Sequence, residues 1–127
     1  MDNEFKCLTS DQRIIIAPYA IKKVFGILDN IKNNIDNNEN KDNLIKLEDI
    51  KSDQLKLILD YCHYYDYNPK IITYPINKEE LTEFDIEIIK SLSFDKAIYL
   101  IIVANKLKCP AFVSLCNVSI ALSIKSI

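Results

Sequence analysis

The 127 residues contain one glycine, one histidine and no tryptophan. A single glycine, Gly26, excludes a Walker A loop and a dinucleotide-binding fingerprint, because each needs several glycines at fixed spacing. A single histidine, His63, removes the paired-imidazole zinc sites of metalloproteases and two-histidine fingers. Neither sign of charge dominates: 16 Lys and Arg stand against 18 Asp and Glu, for a net charge of -2. Nucleic-acid binding through phosphates needs a basic surplus, so that class of partner is not expected. No apolar run reaches the ~20 residues of a membrane span. The start Met1-Asp2-Asn3-Glu4 is acidic and polar, unlike a signal peptide. A chain with no membrane partner is expected, with the cytoplasm and nucleus as its compartment. Its four cysteines, Cys7, Cys62, Cys109 and Cys116, form no CxxC pair. In that compartment they are expected to be reduced and buried, as small apolar side chains.

Against these scarcities, apolar residues make up 49% of the chain and charged residues 27%. That is the balance of an ordinary globular protein, and the length suits one domain, 1–127, with a core of its own. Phe5, Cys7 and Thr9 alternate with Lys6 and Leu8, Ser10-Asp11-Gln12 reads as a turn, and Ile14-Ile15-Ile16 as a short buried strand, which Pro18 ends. Ile21, Val24, Phe25 and Leu28 fall at helical spacing. Residues 29–43 are dominated by Asn and charge and are expected to form a mobile loop. Leu44-Ile45-Lys46-Leu47 is a candidate third strand, at a sheet edge.

Ser52 is a candidate helix cap, followed by Leu55, Ile58, Leu59 and Cys62 at i, i+3, i+4 and i+7. Asn68-Pro69 breaks that helix, and a second loop is expected over 66–81. Thr82 stands three before Asp85, a variant capping box, ahead of Phe84, Ile86, Ile88 and Ile89. Ser93 can cap a helix over 94–107 whose centre, Ala97 to Ala104, is apolar on every face. Pro110 suits the first turn of a last helix that runs through Ile124. Two consecutive helices this apolar must either be enclosed by the core or await a partner. A protein-binding face or a homodimer interface is therefore expected within residues 94–127.

Groups for catalysis are sparse. Cys62 and His63 are adjacent, so on a helix they point about 100° apart and form no dyad. No cysteine pair has the spacing of a structural zinc site, and no cofactor is expected. Glu79, Glu80, Glu83, Asp85 and Glu87 are read as a solvated loop and helix start. The cluster Tyr61, Tyr64, Tyr65 and Tyr67 is read as partial core packing with hydroxyls at the rim.

The order of segments carries a resemblance. Leu55 to Pro69, with Tyr61-Cys62 at its centre, resembles the central helix of the S-phase kinase-associated protein (Skp) family, and Leu44 to Ile50 the strand and turn before it. Phe84-Asp85-Ile86-Glu87-Ile88-Ile89-Lys90 looks like the family's Trp-Asp-x-x-Phe-Leu segment, with Phe for Trp. Leu100-Ile101-Ile102-Val103-Ala104-Asn105-Lys106-Leu107 is similar to Leu-Ile-x-Ala-Ala-Asn-Tyr-Leu. Ile120 to Lys125 continues the match, and Phe5 to Asp11 resembles the family's first strand.

The resemblance implies an α+β, BTB/POZ-like fold, with a small, mostly N-terminal three-stranded sheet covered by about five to six helices. It implies a non-catalytic adaptor that links an F-box protein to a cullin in an SCF-type ubiquitin ligase, within ubiquitin-dependent protein degradation. By position, Ile98, Val113, Ile120 and Ile124 match residues that meet the F-box, and Asn105 and Lys106 match the Asn-Tyr pair that faces the cullin. Lys106 replaces that Tyr and Lys108 a usual Asp. Typical members continue for two further helices that clamp the F-box. The related elongin C adaptors are shorter, and an elongin-C-like adaptor is one alternative. A self-associating module that uses its C-terminal helices as a homodimer interface is another.

Overall fold

The computed structural model describes residues 4–28, 44–73 and 78–125. The expected mobile loop at 29–43 lies outside them. The chain is of the α+β class, and among the described residues it holds a three-stranded mixed sheet and four α-helices. Its contacts gather into two compact units, residues 1–69 and 70–127.

The first unit carries the sheet. Strands β1 (Glu4–Leu8) and β2 (Ile14–Pro18) form an antiparallel hairpin, and β3 (Leu44–Lys46) adds parallel to β1. The order is β2-β1-β3, which places β3 at an edge, as its shortness suggested. The register sets Phe5 opposite Ala17 and Cys7 opposite Ile15. Because side chains alternate across a strand, this puts Phe5, Cys7 and Ala17 inward, where all three are buried. Ile14 and Ile16 are thereby turned outward, 60% and 49% exposed. That corrects the expectation of a wholly buried Ile14-Ile15-Ile16 strand.

A 3-10 turn (Tyr19–Lys23) replaces the expected α-helix after Pro18. The helical spacing still shows in which residues are enclosed: Ile21, Phe25 and Leu28 are buried. The Tyr19 ring stacks on Phe5 with centroids 5.3 Å apart, and the Lys22 ammonium donates to the Tyr19 hydroxyl at 2.9 Å.

Helix α1 (Ser52–Tyr64) packs against β2 and buries Leu55, Ile58, Tyr61 and Cys62. Its N-terminus is capped from a distance in sequence. Ser52 does not act as the cap residue. Instead, the Asp11 carboxylate in the hairpin turn accepts from the Ser52 amide at 3.0 Å and from the Ser52 hydroxyl at 2.6 Å. Gln54 completes the first turn by accepting from the Lys51 amide at 3.0 Å. One carboxylate therefore ties the β1–β2 turn to the start of α1 and satisfies an orphan helix donor.

The Thr9 hydroxyl also donates to this carboxylate, and the hydrogen bonds from Ser52 and Thr9 hold the Asp11 carboxyl well below its ordinary value of 3.8. A depressed carboxylate adds stability that is present above its ordinary value and is lost as pH falls toward the folded value. Wild type is thus expected to lose thermal stability below about pH 4, more steeply than Asp11→Asn does. Asp11→Asn is also expected to be the less stable protein at pH 7. Equal midpoints for the two proteins across pH 3 to 7, followed by circular dichroism, would remove Asp11 from this role. The Asp11–Arg13 ion pair at 3.6 Å is exposed and adds little.

Helix α1 is followed, after Tyr65, by two consecutive left-handed residues, Asp66 (φ 53) and Tyr67 (φ 59). The Tyr67 amide donates to the Cys62 carbonyl at 2.8 Å, which closes the last turn. The expected second loop over 66–81 begins in this turn.

The second unit holds three helices, α2 (Glu83–Ser91), α3 (Phe94–Leu107) and α4 (Pro110–Lys125). Their starts follow the sequence signals. Thr82 and Asp85 form a reciprocal capping box, with Thr82 Oγ1 accepting from the Asp85 amide at 3.1 Å and Asp85 accepting from the Thr82 amide at 3.2 Å. Ser93 Oγ accepts from the Lys96 amide at 3.2 Å. Asp85 is buried, so it is not one of the solvated carboxylates of the 79–87 cluster. Its burial is tolerable because the capping box satisfies it. Helix α3 packs along α4, and α2 packs against α4 as well. Leu100, Val103, Leu107, Phe112, Leu115, Cys116 and Val118 make the core of this unit. Before α2, the Ile72 amide donates at 2.9 Å to the buried Ser114 hydroxyl, which in turn donates to the Ala111 carbonyl.

Candidate functional site

Helix α3 has two unlike sides. Ala97, Leu100, Val103, Ala104 and Leu107 are buried. On the other side Phe94, Ile98, Tyr99 and Ile102 are 47%, 40%, 54% and 50% exposed. Phe94, Ile98 and Ile102 recur every fourth residue, and Tyr99 stands beside them, so the four form one continuous apolar face. Single exposed apolar residues are common on protein surfaces, whereas these four adjoin one another on a single helix face.

Asn105 and Lys106 are exposed at the C-terminal end of the same face. Ile98 and Asn105 are seven residues apart, about two turns, so α3 presents Ile98, Asn105 and Lys106 on one side. The helix closes at Lys108, which is left-handed at φ 57, ψ 54, with its amide donating to the Asn105 carbonyl at 3.1 Å. Glycine adopts that conformation without the Cβ cost that Lys meets there. The backbone at this departure from the family motif is therefore set by helix termination, while the lysine side chain extends into solvent.

Helix α4 is enclosed more fully. Ala111, Phe112, Ser114, Leu115, Cys116, Val118 and Ser119 are buried. The remaining stripe runs through Pro110, Val113, Asn117 and Ile120, of which Val113 and Ile120 are half-buried. Of the residues matched to the F-box interface, Ile98 is therefore exposed on α3, and Val113 and Ile120 line the outward stripe of α4. Ile124 belongs to the α4 backbone, and its side chain lies outside the described residues. Phe94, Tyr99 and Ile102 were not singled out by the sequence motif. The four-residue spacing of Phe94, Ile98 and Ile102 was the available signal, masked by the run Ala97 to Ala104 in which every position is apolar.

The groups that could do covalent chemistry are poorly placed for it. None of the four cysteines is in a disulfide, and all four are buried. Burial pushes the Cys7 thiol up to about 11 and the Cys116 thiol up to about 12, so neither forms a thiolate nucleophile at neutral pH. His63 is exposed, with Nδ1 3.2 Å from the Tyr67 hydroxyl. Among the described residues no three of His, Cys, Asp and Glu gather as a metal site, and no helix is long and apolar enough to cross a membrane. Tyr61 is buried and meets Tyr65 edge-on at 5.2 Å, while Tyr64 is exposed.

A cleft of about 440 Å³ lies between α2 and α4, lined mainly by Leu81, Ile86, Ile89, Leu92 and Leu122, with Lys90 at its rim. Compared with models of known protein families and with curated proteins, the chain matches none.

Proposed function

We propose that this chain is a non-catalytic adaptor of the Skp type, on a BTB/POZ-like fold, that joins an F-box substrate receptor to a cullin scaffold in an SCF-type ubiquitin ligase. The observation that carries the reading is the apolar face of α3, which ends in Asn105 and Lys106. A helix that buries one side and leaves Phe94, Ile98, Tyr99 and Ile102 to solvent is built to be covered by a protein, since apolar burial is the main favourable term in association. In this reading Ile98, Val113, Ile120 and Ile124 meet the F-box helix, and Asn105 and Lys106 meet the cullin. Lys106 and Lys108 where the family motif has Tyr and Asp call for a cullin surface that presents carboxylates. The adaptor works in the cytoplasm and nucleus, where such ligases act.

The test is light scattering on size-exclusion fractions of the chain mixed with an F-box segment and the N-terminal part of a cullin. A complex with one copy of each is expected, and its cullin contact is expected to weaken as salt rises. Failure of the chain to retain either partner overturns the adaptor reading.

A further inference from the structure

The exposed face of α3 carries its own complement. Asp95, Tyr99, Ile102 and Lys106 stand at i, i+4, i+7 and i+11, which is one line along three helical turns. All four are exposed. The line reads acid, apolar, apolar, base from its N-terminal end. Turned end for end, it reads base, apolar, apolar, acid. A second copy laid antiparallel therefore sets Asp95 against the partner's Lys106, Tyr99 against the partner's Ile102, and each of these pairs again in reverse. A parallel copy would oppose like charges at both ends.

We infer that two copies of this chain pair through α3 in antiparallel fashion about a two-fold axis between Leu100 and Ile101, with Asp95 and Lys106 forming the end contacts. A two-fold pair of this kind closes on itself, because the same patch serves both copies. Ile98 and Phe94 flank the line and widen the apolar contact, each about half exposed. The four apolar side chains offer on the order of 400 Å² per copy, about 800 Å² in all, which is less than stable specific interfaces bury and suits a transient contact. The pair is accordingly weak and reversible, and a larger heteromeric partner can displace it. The inference stands on α3 alone and does not need the adaptor reading.

The test uses the full chain with no other protein present. Sedimentation velocity between about 10 μM and 1 mM should show a monomer passing into a dimer. Asp95→Lys and Lys106→Asp each place like charges opposite one another and should weaken the dimer about tenfold or more. The double exchange, Asp95→Lys with Lys106→Asp, restores opposite charges and should recover most of the wild-type association. Ile102→Ser leaves the charges alone and should give a monomer throughout the range. Circular dichroism melts of every variant separate lost pairing from lost folding.

A chain that stays monomeric at all concentrations overturns the inference. A dimer unchanged by the single exchanges or by Ile102→Ser overturns it too, since pairing then uses another face. A dimer that the single exchanges weaken and the double exchange does not restore overturns the antiparallel arrangement. The adaptor reading is decided separately, by the mixing experiment with F-box and cullin.

Discussion

Ile98→Glu is expected to weaken capture of an F-box segment by about 100-fold, close to 3 kcal/mol, while the protein stays folded. Ile98 is 40% exposed in the chain alone, so a glutamate there can stay hydrated and costs the fold at most about 0.5 kcal/mol. In the complex the same carboxylate is stripped of water with no partner, which is what makes the penalty large. Isothermal titration calorimetry with an F-box segment measures the first quantity and a thermal melt the second. Unchanged affinity would take Ile98 out of the interface. A lost melting transition would mean that the position serves the core. Val113→Glu is expected to lose the same binding with a larger stability cost, because Val113 starts half-buried.

Phe112→Ala is expected to be the most damaging substitution in the second unit, at about 3–5 kcal/mol. The ring is fully buried at the start of α4, among the residues that pack α4 against α3. Removing it takes away apolar burial and leaves a cavity that two packed helices cannot close. A domain of this size holds about 5–15 kcal/mol in total, so the variant should show a substantial unfolded fraction or a sharply lowered urea midpoint. A loss below about 1 kcal/mol would show that the α3–α4 packing does not depend on this ring. With Ile98→Glu it forms a matched pair, in which one change should spoil binding at full stability and the other should spoil stability first.

Much of the local structure was legible because its causes are local. The Thr82–Asp85 capping box, the Ser93 cap and Pro110 in the first turn of α4 each involve side chains within one helical turn of the backbone they serve. The hairpin was readable from alternation and a polar turn, and the burial of the cysteines from their lack of pairing. The candidate site was legible in part. The sequence showed that residues 94–107 were too apolar for an ordinary surface helix, but it could not show which side faced out. Periodicity marks a face only when the other face is polar. In Ala97-Ile98-Tyr99-Leu100-Ile101-Ile102-Val103-Ala104 there was no polar side to read.

Length, charge balance and the single Gly and His sufficed to exclude phosphate-loop and paired-histidine chemistry, and the order of polar and apolar segments sufficed to place the three strands and the four α-helices, though not the 3-10 turn after Pro18. Three further matters were decided only by tertiary packing. Pairing with β1 turned Ile14 and Ile16 outward, because register assigns every side chain of a strand to one face or the other. The cap of α1 came from Asp11, 41 residues before Ser52, through a contact that no local window contains. The apolar side of α3 left to solvent was chosen by where α4 lies against it. In each case the deciding contact joins two separate elements, 41 residues apart for Asp11 and Ser52, and a contact of that kind exists only once those elements have packed.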